Sequence, residues 1–414
     1  MTPPQPALLQ IAPRFCAHPT AGAEFRNLCL GARLARYMDV THVGFLTADA
    51  SDPGSLPPEN HQPNHRFVAV PRGGSYRITD LLRGAVGHVP FSALNYTRAG
   101  MRDTLTRLLQ ETHFDIAVIE GVHLGEYVPL LRSAATPPAV VCEWHNIESE
   151  ILLRYSRGAA GWMHRRYADH AAKRLARYER WLVNKLDMHV VVSERDRATL
   201  IEYGVRVPVV VIENGVPFDR FSGLEHLSGA SRFRVIFTGA MDYHANVEAV
   251  TTFAEDVWPS IHAAAPQLVF TIVGRNPSAA VRALAGEAAI EVTGQVPDVR
   301  PYYGEAVAAV MPLRVGGGTR IKILEAMAAK VPVISTAIGA EGLAATPGTH
   351  YVLADSSRQM LEALQNVLQD PAKTARMTEA ARDFVRQHHD WAMLGDRLAQ
   401  HLLALHQART LGAR

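Results

Sequence analysis

Thirteen residues, Gly316-Gly-Gly-Thr-Arg-Ile-Lys-Ile-Leu-Glu-Ala-Met-Ala328, combine the residue types that hold an anion next to a diol. An apolar run from Ala306 to Leu313 precedes them and reads as a buried strand. Ile321, Leu324 and Ala328 then recur at helical spacing. A glycine-rich turn from strand into helix presents backbone N–H groups and the positive end of the helix dipole, which together suit a phosphate. Arg320 and Lys322 put cations into the first turn, where that dipole disfavours them unless an anion is bound. Glu325 follows one to two turns in, placed to accept hydrogen bonds from vicinal hydroxyls. The pattern predicts a nucleotide or nucleotide-sugar site.

The elements that must carry such a site emerge as an alternation. Strand-like runs at Ala7 to Ile11, Val40 to Leu46, Ile116 to Glu120, Ala139 to Cys142, Met188 to Val192 and Val209 to Ile212 alternate with amphipathic stretches, the first at about Glu24 to Tyr37. The pattern breaks over Pro217 to Arg232, a polar segment with two glycines and three serines. It resumes with Arg234 to Thr238, Leu268 to Val273, Ala289 to Val292, Val307 to Met311 and Val331 to Ser335. This predicts an α/β protein with two doubly wound parallel sheets, each binding ligand at the carboxyl ends of its strands, and hence a cleft between the halves. The expected division is an N-terminal domain over 1–216, a linker over 217–232 and a second domain over 233–390. Asp49 to His65, rich in proline, asparagine and aspartate, reads as an exposed loop.

Composition removes several function classes. A chain of 414 residues allows two or three domains at about 150 residues each. A net charge of +2 leaves no electrostatic footprint for nucleic acid. Cys16, Cys29 and Cys142 are far apart, which reads as core residues in a reducing compartment. The N-terminus lacks the pattern of a signal peptide, and no apolar run approaches the roughly 20 residues of a membrane span. A cytoplasmic protein is expected. No Asp-x-Asp metal clamp, no Gly-x-Gly-x-x-Gly after the first strand and no Gly-x-Ser-x-Gly elbow occurs. His388, His389 and Asp390 lack a fourth ligand and read as a surface cluster. Neither a metal nor a cofactor is expected.

The segment from Gly316 to Ala328 also resembles glycosyltransferase family 4, enzymes of the GT-B fold. Within that family it is similar to a subgroup tied to bacterial exopolysaccharide loci. The resemblance extends through Val235-Ile-Phe-Thr-Gly-Ala-Met-Asp-Tyr-His-Ala-Asn246, His145-Asn-Ile-Glu148 and Glu213-Asn-Gly-Val216, and so covers nearly the whole chain. It implies two Rossmann-like domains, with the leucine- and alanine-rich segment 391–414 crossing back onto the N-terminal one. It also implies a nucleoside-diphosphate sugar as donor, a saccharide or lipid-linked acceptor, and retention of anomeric configuration. By the same resemblance Glu325 would accept from the donor ribose, and Gly316, Gly317, Gly318 and Thr319 would hold phosphate through their amides. His145 would contact the donor sugar, and Gly22 would let backbone approach phosphate or acceptor after the first strand. Val296, at a strand end, would flank the base.

Two departures from the family pattern follow. Family members carry an arginine and a lysine in the loop that here runs from Gly239 to Ala245, which has neither. Compensation of the leaving diphosphate therefore falls to Arg320 and Lys322. The first of two family glutamates falls on Gly317, which removes a side chain from sugar selection. Arg26 reads as a substrate contact or, in preference, a solvated helix charge, and Glu148 as a ligand or a capping residue.

Between Arg154 and Lys185, nine basic residues face only Asp169 and Glu179, with Trp162, Met163, Tyr167 and Trp181 interleaved. A basic helical face with aromatic edges can dock on anionic lipid at the inner face of a membrane. A solvated helix pair packed on the sheet would carry the same pattern. The function expected is transfer of a sugar from a nucleoside-diphosphate sugar to an acceptor hydroxyl, in bacterial surface polysaccharide or glycolipid synthesis. A nucleotide-sugar 2-epimerase of the same fold and a catalytically inactive nucleotide-sugar-binding protein stand as alternatives.

Overall fold

The computed structural model describes residues 5–17, 22–46, 62–72, 84, 87–158, 161–221, 223–224, 233–315 and 321–412. The chain forms two compact units, Met1–Glu213 with Trp391–Arg414, and Asn214–Asp390. Each is a parallel sheet covered by helices. The helices that matter below are α1 (Gly22–Leu34), α2 (Glu148–Gly158), α3 (Trp162–Leu182), α4 (His244–Asp256), α5 (Ile321–Ala328) and α6 (Trp391–Gly412).

The first unit contains β1 (Ala7–Ala12), β2 (Asp39–Leu46), β3 (His65–Pro71), β4 (Ile116–Glu120), β5 (Ala139–Trp144), β6 (Met188–Val191) and β7 (Val209–Val211). They lie in the order β3-β2-β1-β4-β5-β6-β7, with every neighbouring pair parallel. β4 and β5 are buried along their whole length, as sheets covered on both faces require. On one face, α1 and α6 close over Leu8, Val40, Val118 and Val141 with Leu30, Leu34, Leu394, Leu398 and Leu402. α2 and α3 pack along each other, and Leu175, Tyr178 and Leu182 of α3 join the core on the other face.

The second unit contains β8 (Arg234–Thr238), β9 (Val269–Val273), β10 (Ile290–Gly294), β11 (Ala306–Met311), β12 (Val333–Ser335) and β13 (Val352–Leu353). Their order is β10-β9-β8-β11-β12-β13, again parallel. The strand-like runs read from sequence coincide with every inner strand and with the edge strands β7 and β10. The strands not anticipated, β3 and β13, are edges. β3 opens with His65 and Arg66 and ends in a proline, and β13 has only two residues, so neither carries the continuous apolar run that marks a central strand.

The join between units differs from expectation. The chain leaves the first unit at Glu213, and the segment expected as a linker begins with a helical turn, Phe218–Phe221. Phe218, Phe221 and Leu224 are buried in the second core, so apolar side chains in a polar run were decisive. The outgoing and returning passages run side by side: Val216 N–H donates to the His389 carbonyl (2.8 Å), and His389 Nδ1 meets the Asn214 carbonyl (2.8 Å). His389 is therefore buried backbone support and not part of a surface cluster.

Arg26 departs furthest from its sequence reading. It is fully buried, because α1 turns it inward against β5. Its Nε donates to Glu143 Oε1 (2.6 Å), and its two terminal nitrogens donate to the carbonyls of Glu213 (2.7 Å) and Ile212 (2.8 Å). The guanidinium also lies 5.8 Å from the centre of the Trp391 ring. Glu179 of α3 is equally enclosed. It accepts from the Ser149 N–H (3.1 Å), the Ser149 hydroxyl and the Tyr203 hydroxyl (3.3 Å), and so caps the start of α2 from a neighbouring helix. Burial pushes its carboxyl up to about 7, against the opposing pull of these hydrogen bonds.

Two measurements test these buried groups. Arg26→Met should destabilise the first unit by roughly 3–5 kcal/mol by leaving Glu143 uncompensated, lowering the thermal midpoint by about 10 °C. Arg26→Met/Glu143→Met should recover only part of this, since the Ile212 and Glu213 carbonyls still lack a donor; an unchanged midpoint in the single variant would contradict the assignment. Glu179 binds its proton more tightly folded than unfolded. Its stabilisation is therefore complete below the unfolded value near 4.5 and is lost as pH rises through about 7. Urea titrations at pH 5 and pH 8 should show a gain of roughly 2–3 kcal/mol on acidification that Glu179→Gln lacks. An equal response of both proteins would mean that this carboxyl is already ionised in the fold.

Candidate functional site

In the second sheet the order runs outward in two directions from β8 and β11, which lie side by side. Ligands of doubly wound sheets bind beyond the carboxyl ends of the strands at such a reversal. The loop after β8 opens with Gly239, and α5 is the helix that follows β11. Gly239 N–H donates to Val273 O (2.9 Å), and Gly274 N–H donates to Gly294 O (3.1 Å), tying the ends of β8, β9 and β10 together. A Cβ on Gly274 would lie 1.6 Å from the Gly239 carbonyl, so no side chain fits there. Gly239 itself has φ +154°, and a Cβ on it would meet Asn246 Nδ2 and Lys322 Nζ at 2.9 Å.

Lys322 therefore reaches from α5 to the loop after β8, the loop that carries no cation of its own. Its ammonium donates to Asn246 Oδ1 (2.9 Å) and sits 4.0 Å from the centre of the Phe237 ring. Asn246 of α4 is held in turn by donating to the Ala240 carbonyl (2.8 Å). Glu325 lies one turn beyond Lys322 on α5 and is half-buried. The Tyr303 hydroxyl, itself fully buried, donates to Glu325 Oε2 (3.1 Å) and lies 3.1 Å from Thr238 Oγ1 at the end of β8. Burial holds the Glu325 carboxyl above its ordinary range, while Tyr303 and then Lys322 oppose the rise. A cation and a carboxylate thus share one helix face, with a bare backbone floor beside the cation.

Of the residues picked from sequence, the structure brings Gly239 and Lys322 together, with Glu325 on the same helix. Val296 stands half-buried two residues past β10, the far edge of the sheet. Gly316, Gly317, Gly318, Thr319 and Arg320 lie outside the described residues. Tyr303 and Asn246 were not anticipated. Asn246 was within the family-like segment, but a tyrosine in a short helix, Arg300–Gly304, gives no signal in sequence.

In the first unit the reversal lies between β1 and β4. β4 ends in Glu120, and His145 follows β5. Gln10 donates to Glu120 Oε1 (2.8 Å), and Asn27 donates to Oε2. His145 Nε2 lies 3.9 Å from Glu120 Oε2 and has no hydrogen-bond partner among the described residues. Burial raises the Glu120 carboxyl to about 7, with His145 opposing. His123 stacks on Tyr96 (5.4 Å between ring centres), and its Nε2 lies 3.9 Å from Glu148. Burial, with the nearby His145, lowers His123 to about 4. Two carboxyls that burial holds above their ordinary range, Glu120 and Glu148, and the imidazole of His123 are thus gathered around His145, the histidine that sequence had singled out as a ligand. Glu120 was missed although its strand was read, and its position at a strand end was the available signal. Gly22 is the exposed first residue of α1.

Among the described residues no group of three histidine, cysteine, aspartate or glutamate side chains could hold a metal ion. Residues 50–220 match the family model described as Glycosyltransferase Family 4, and residues 232–370 match the one described as Glycosyl transferases group 1. No curated protein gives a significant match. Among solved structures the chain is similar to sucrose-phosphate synthase from Thermosynechococcus elongatus, with 18% identity, a TM-score of 0.73, and 98% of this chain and 100% of that one covered. It is also similar to α,α-trehalose 6-phosphate synthase from Burkholderia multivorans, with 14% identity, a TM-score of 0.68 and 99% of each chain covered. HepE from Anabaena, solved in complex with UDP, shares 16% identity and a TM-score of 0.64 over 96% of this chain and 100% of its own. These structural likenesses bear on the fold, while the two family matches together span well over half of the chain. With two doubly wound parallel sheets and these matches, the chain belongs to the family 4 glycosyltransferases of the GT-B fold.

Proposed function

We propose that this glycosyltransferase takes its sugar from a nucleoside-diphosphate sugar held at the carboxyl ends of β8 and β11. The observation that carries the reading is Lys322, whose ammonium stands against Gly239 with Glu325 one turn away on the same helix. In this assignment Glu325 accepts from the ribose hydroxyls. Lys322, Arg320 and the amides of Gly316 to Thr319 neutralise the departing diphosphate, and Val296 flanks the base. His145 orients the sugar, and Gly22 lets the backbone approach phosphate or acceptor. Protein cations take the part that a divalent metal plays elsewhere, so no metal or cofactor is required.

A front-face substitution with retention fits this set of groups: the diphosphate leaves as the acceptor hydroxyl enters on the same side. Stabilising charge on the leaving group is then the main catalytic contribution. The acceptor is a saccharide or a lipid-linked saccharide, and the setting is bacterial surface polysaccharide or glycolipid synthesis. Because HepE was solved with UDP, uridine diphosphate is the first ligand to try.

Thermal unfolding with uridine, guanosine, adenosine and thymidine diphosphates tests the donor site. One of them, at about 100 times its dissociation constant, should stabilise the protein by roughly 2.7 kcal/mol, and Glu325→Ala should lose most of that. No stabilisation by any nucleotide, with or without added divalent metal, would defeat the reading. Once the donor is known, Lys322→Ala should lower kcat by roughly 10²–10³ while sparing the fold. A change confined to KM would instead place Lys322 in ground-state binding.

A further inference from the structure

We propose that the outward face of α3 docks this enzyme on an anionic lipid bilayer. The proposal is independent of the donor assignment. The buried stripe of α3, Ala168, Ala172, Leu175, Glu179 and Leu182, fixes which side of the helix meets the first unit. The opposite stripe is left to solvent, and its content is unusual. Trp162, Met163 and Tyr167 are 70%, 65% and 66% exposed at one end of the helix, and Trp181 is 47% exposed at the other. Single exposed apolar residues are ordinary. Here, however, every residue from Gly161 to Tyr167 is exposed, so the first turns of α3 stand clear of the core on all sides.

Between these apolar ends the same face carries Arg166, Lys173, Arg177 and Arg180, all exposed. Asp169, bound to Lys173 at 2.8 Å, cancels that one charge and Glu179 is buried beneath the helix, which leaves Arg166, Arg177 and Arg180 as the net positive charge of the face. From Met163 to Trp181 the face runs about 27 Å at 1.5 Å per residue. Arginine and lysine over a span of that length, with tryptophan, tyrosine and methionine at its ends, match a surface that is anionic outside and apolar a few ångströms in. Tryptophan and tyrosine favour that boundary because one edge of each ring is polar and the rest is not. A soluble anion would be held by the charges but would leave the exposed apolar ends unexplained. No described helix is long and apolar enough to cross a membrane, so contact would be along the surface.

Co-sedimentation of the full-length protein with vesicles tests this. Vesicles of phosphatidylcholine with about one-third phosphatidylglycerol should bind it, pure phosphatidylcholine should not, and raising salt from about 0.1 to 0.5 M should release it as charges are screened. Arg166→Gln/Arg177→Gln should weaken binding roughly thirty-fold, about five-fold per arginine removed. Met163→Ala/Tyr167→Ala should weaken it while leaving the thermal midpoint unchanged, since neither side chain supports the core. The proposal is overturned if the wild type ignores anionic vesicles, or if both variants bind as it does. It is likewise overturned if sedimentation velocity shows a dimer that Met163→Ala/Tyr167→Ala dissociates, because the face would then be covered by a second copy of the chain.

Discussion

Arg26 carries a charge into the centre of the first unit, where removing it from water is costly unless every donor finds an acceptor. Glu143 supplies the opposite charge near the end of β5, and the carbonyls of Glu213 and Ile212 each accept from one of the two terminal nitrogens. Glu213 is where the chain leaves this unit, and Trp391, beside the same guanidinium, is where it returns. One side chain on α1 is thus bonded to the exit and touches the re-entry. Arg397 adds a second tie from α6, to the Glu213 carboxylate and the Val211 carbonyl. Such an arrangement specifies where the backbone crosses, which a nonpolar contact of the same area would not.

A different constraint shapes the ligand end of the second sheet. The ends of β8 and β9 approach so closely that Gly274 lies against the Gly239 carbonyl. Space at this floor is taken by backbone, and the positive charge beside it comes from a helix. α5 supplies it: its helical rise carries Lys322 over Phe237 to Asn246, while Glu325 turns toward Tyr303.

The inner strands were legible because burial on both faces leaves continuous apolar runs, as in Ile116–Glu120 and Ala139–Trp144. Of the edges, β7 and β10 were also read, whereas β3 mixes His65 and Arg66 into its run and β13 is only two residues long. Glu325 and Lys322 stand out as candidates from a local pattern, and His145 from its place after a strand. What reasoning along the chain could not supply was inwardness. Arg26 looks the same in sequence whether it faces water or Glu143, and Glu120 looks like any acid at a strand end until Gln10 and Asn27 close over it. The same blindness hid Tyr303, whose partners come from β8 and α5.

The return of α6 to the first unit sets an order of assembly on the ribosome. Leu8, Val40, Val118 and Val141 belong to a core that is completed by Trp391, Leu394, Leu398 and Leu402. The roughly 200 residues between Glu213 and Gly412 take about 10–40 seconds to synthesise at 5–20 residues per second. During that interval one face of the first sheet is covered by α1 without α6, while Asn214–Asp390, being continuous, can close on itself as soon as it emerges. The half that is translated first is therefore the half that finishes last. Nascent chains stalled before residue 391 should be the ones that recruit chaperones to the exposed leucines and valines of the amino-terminal sheet.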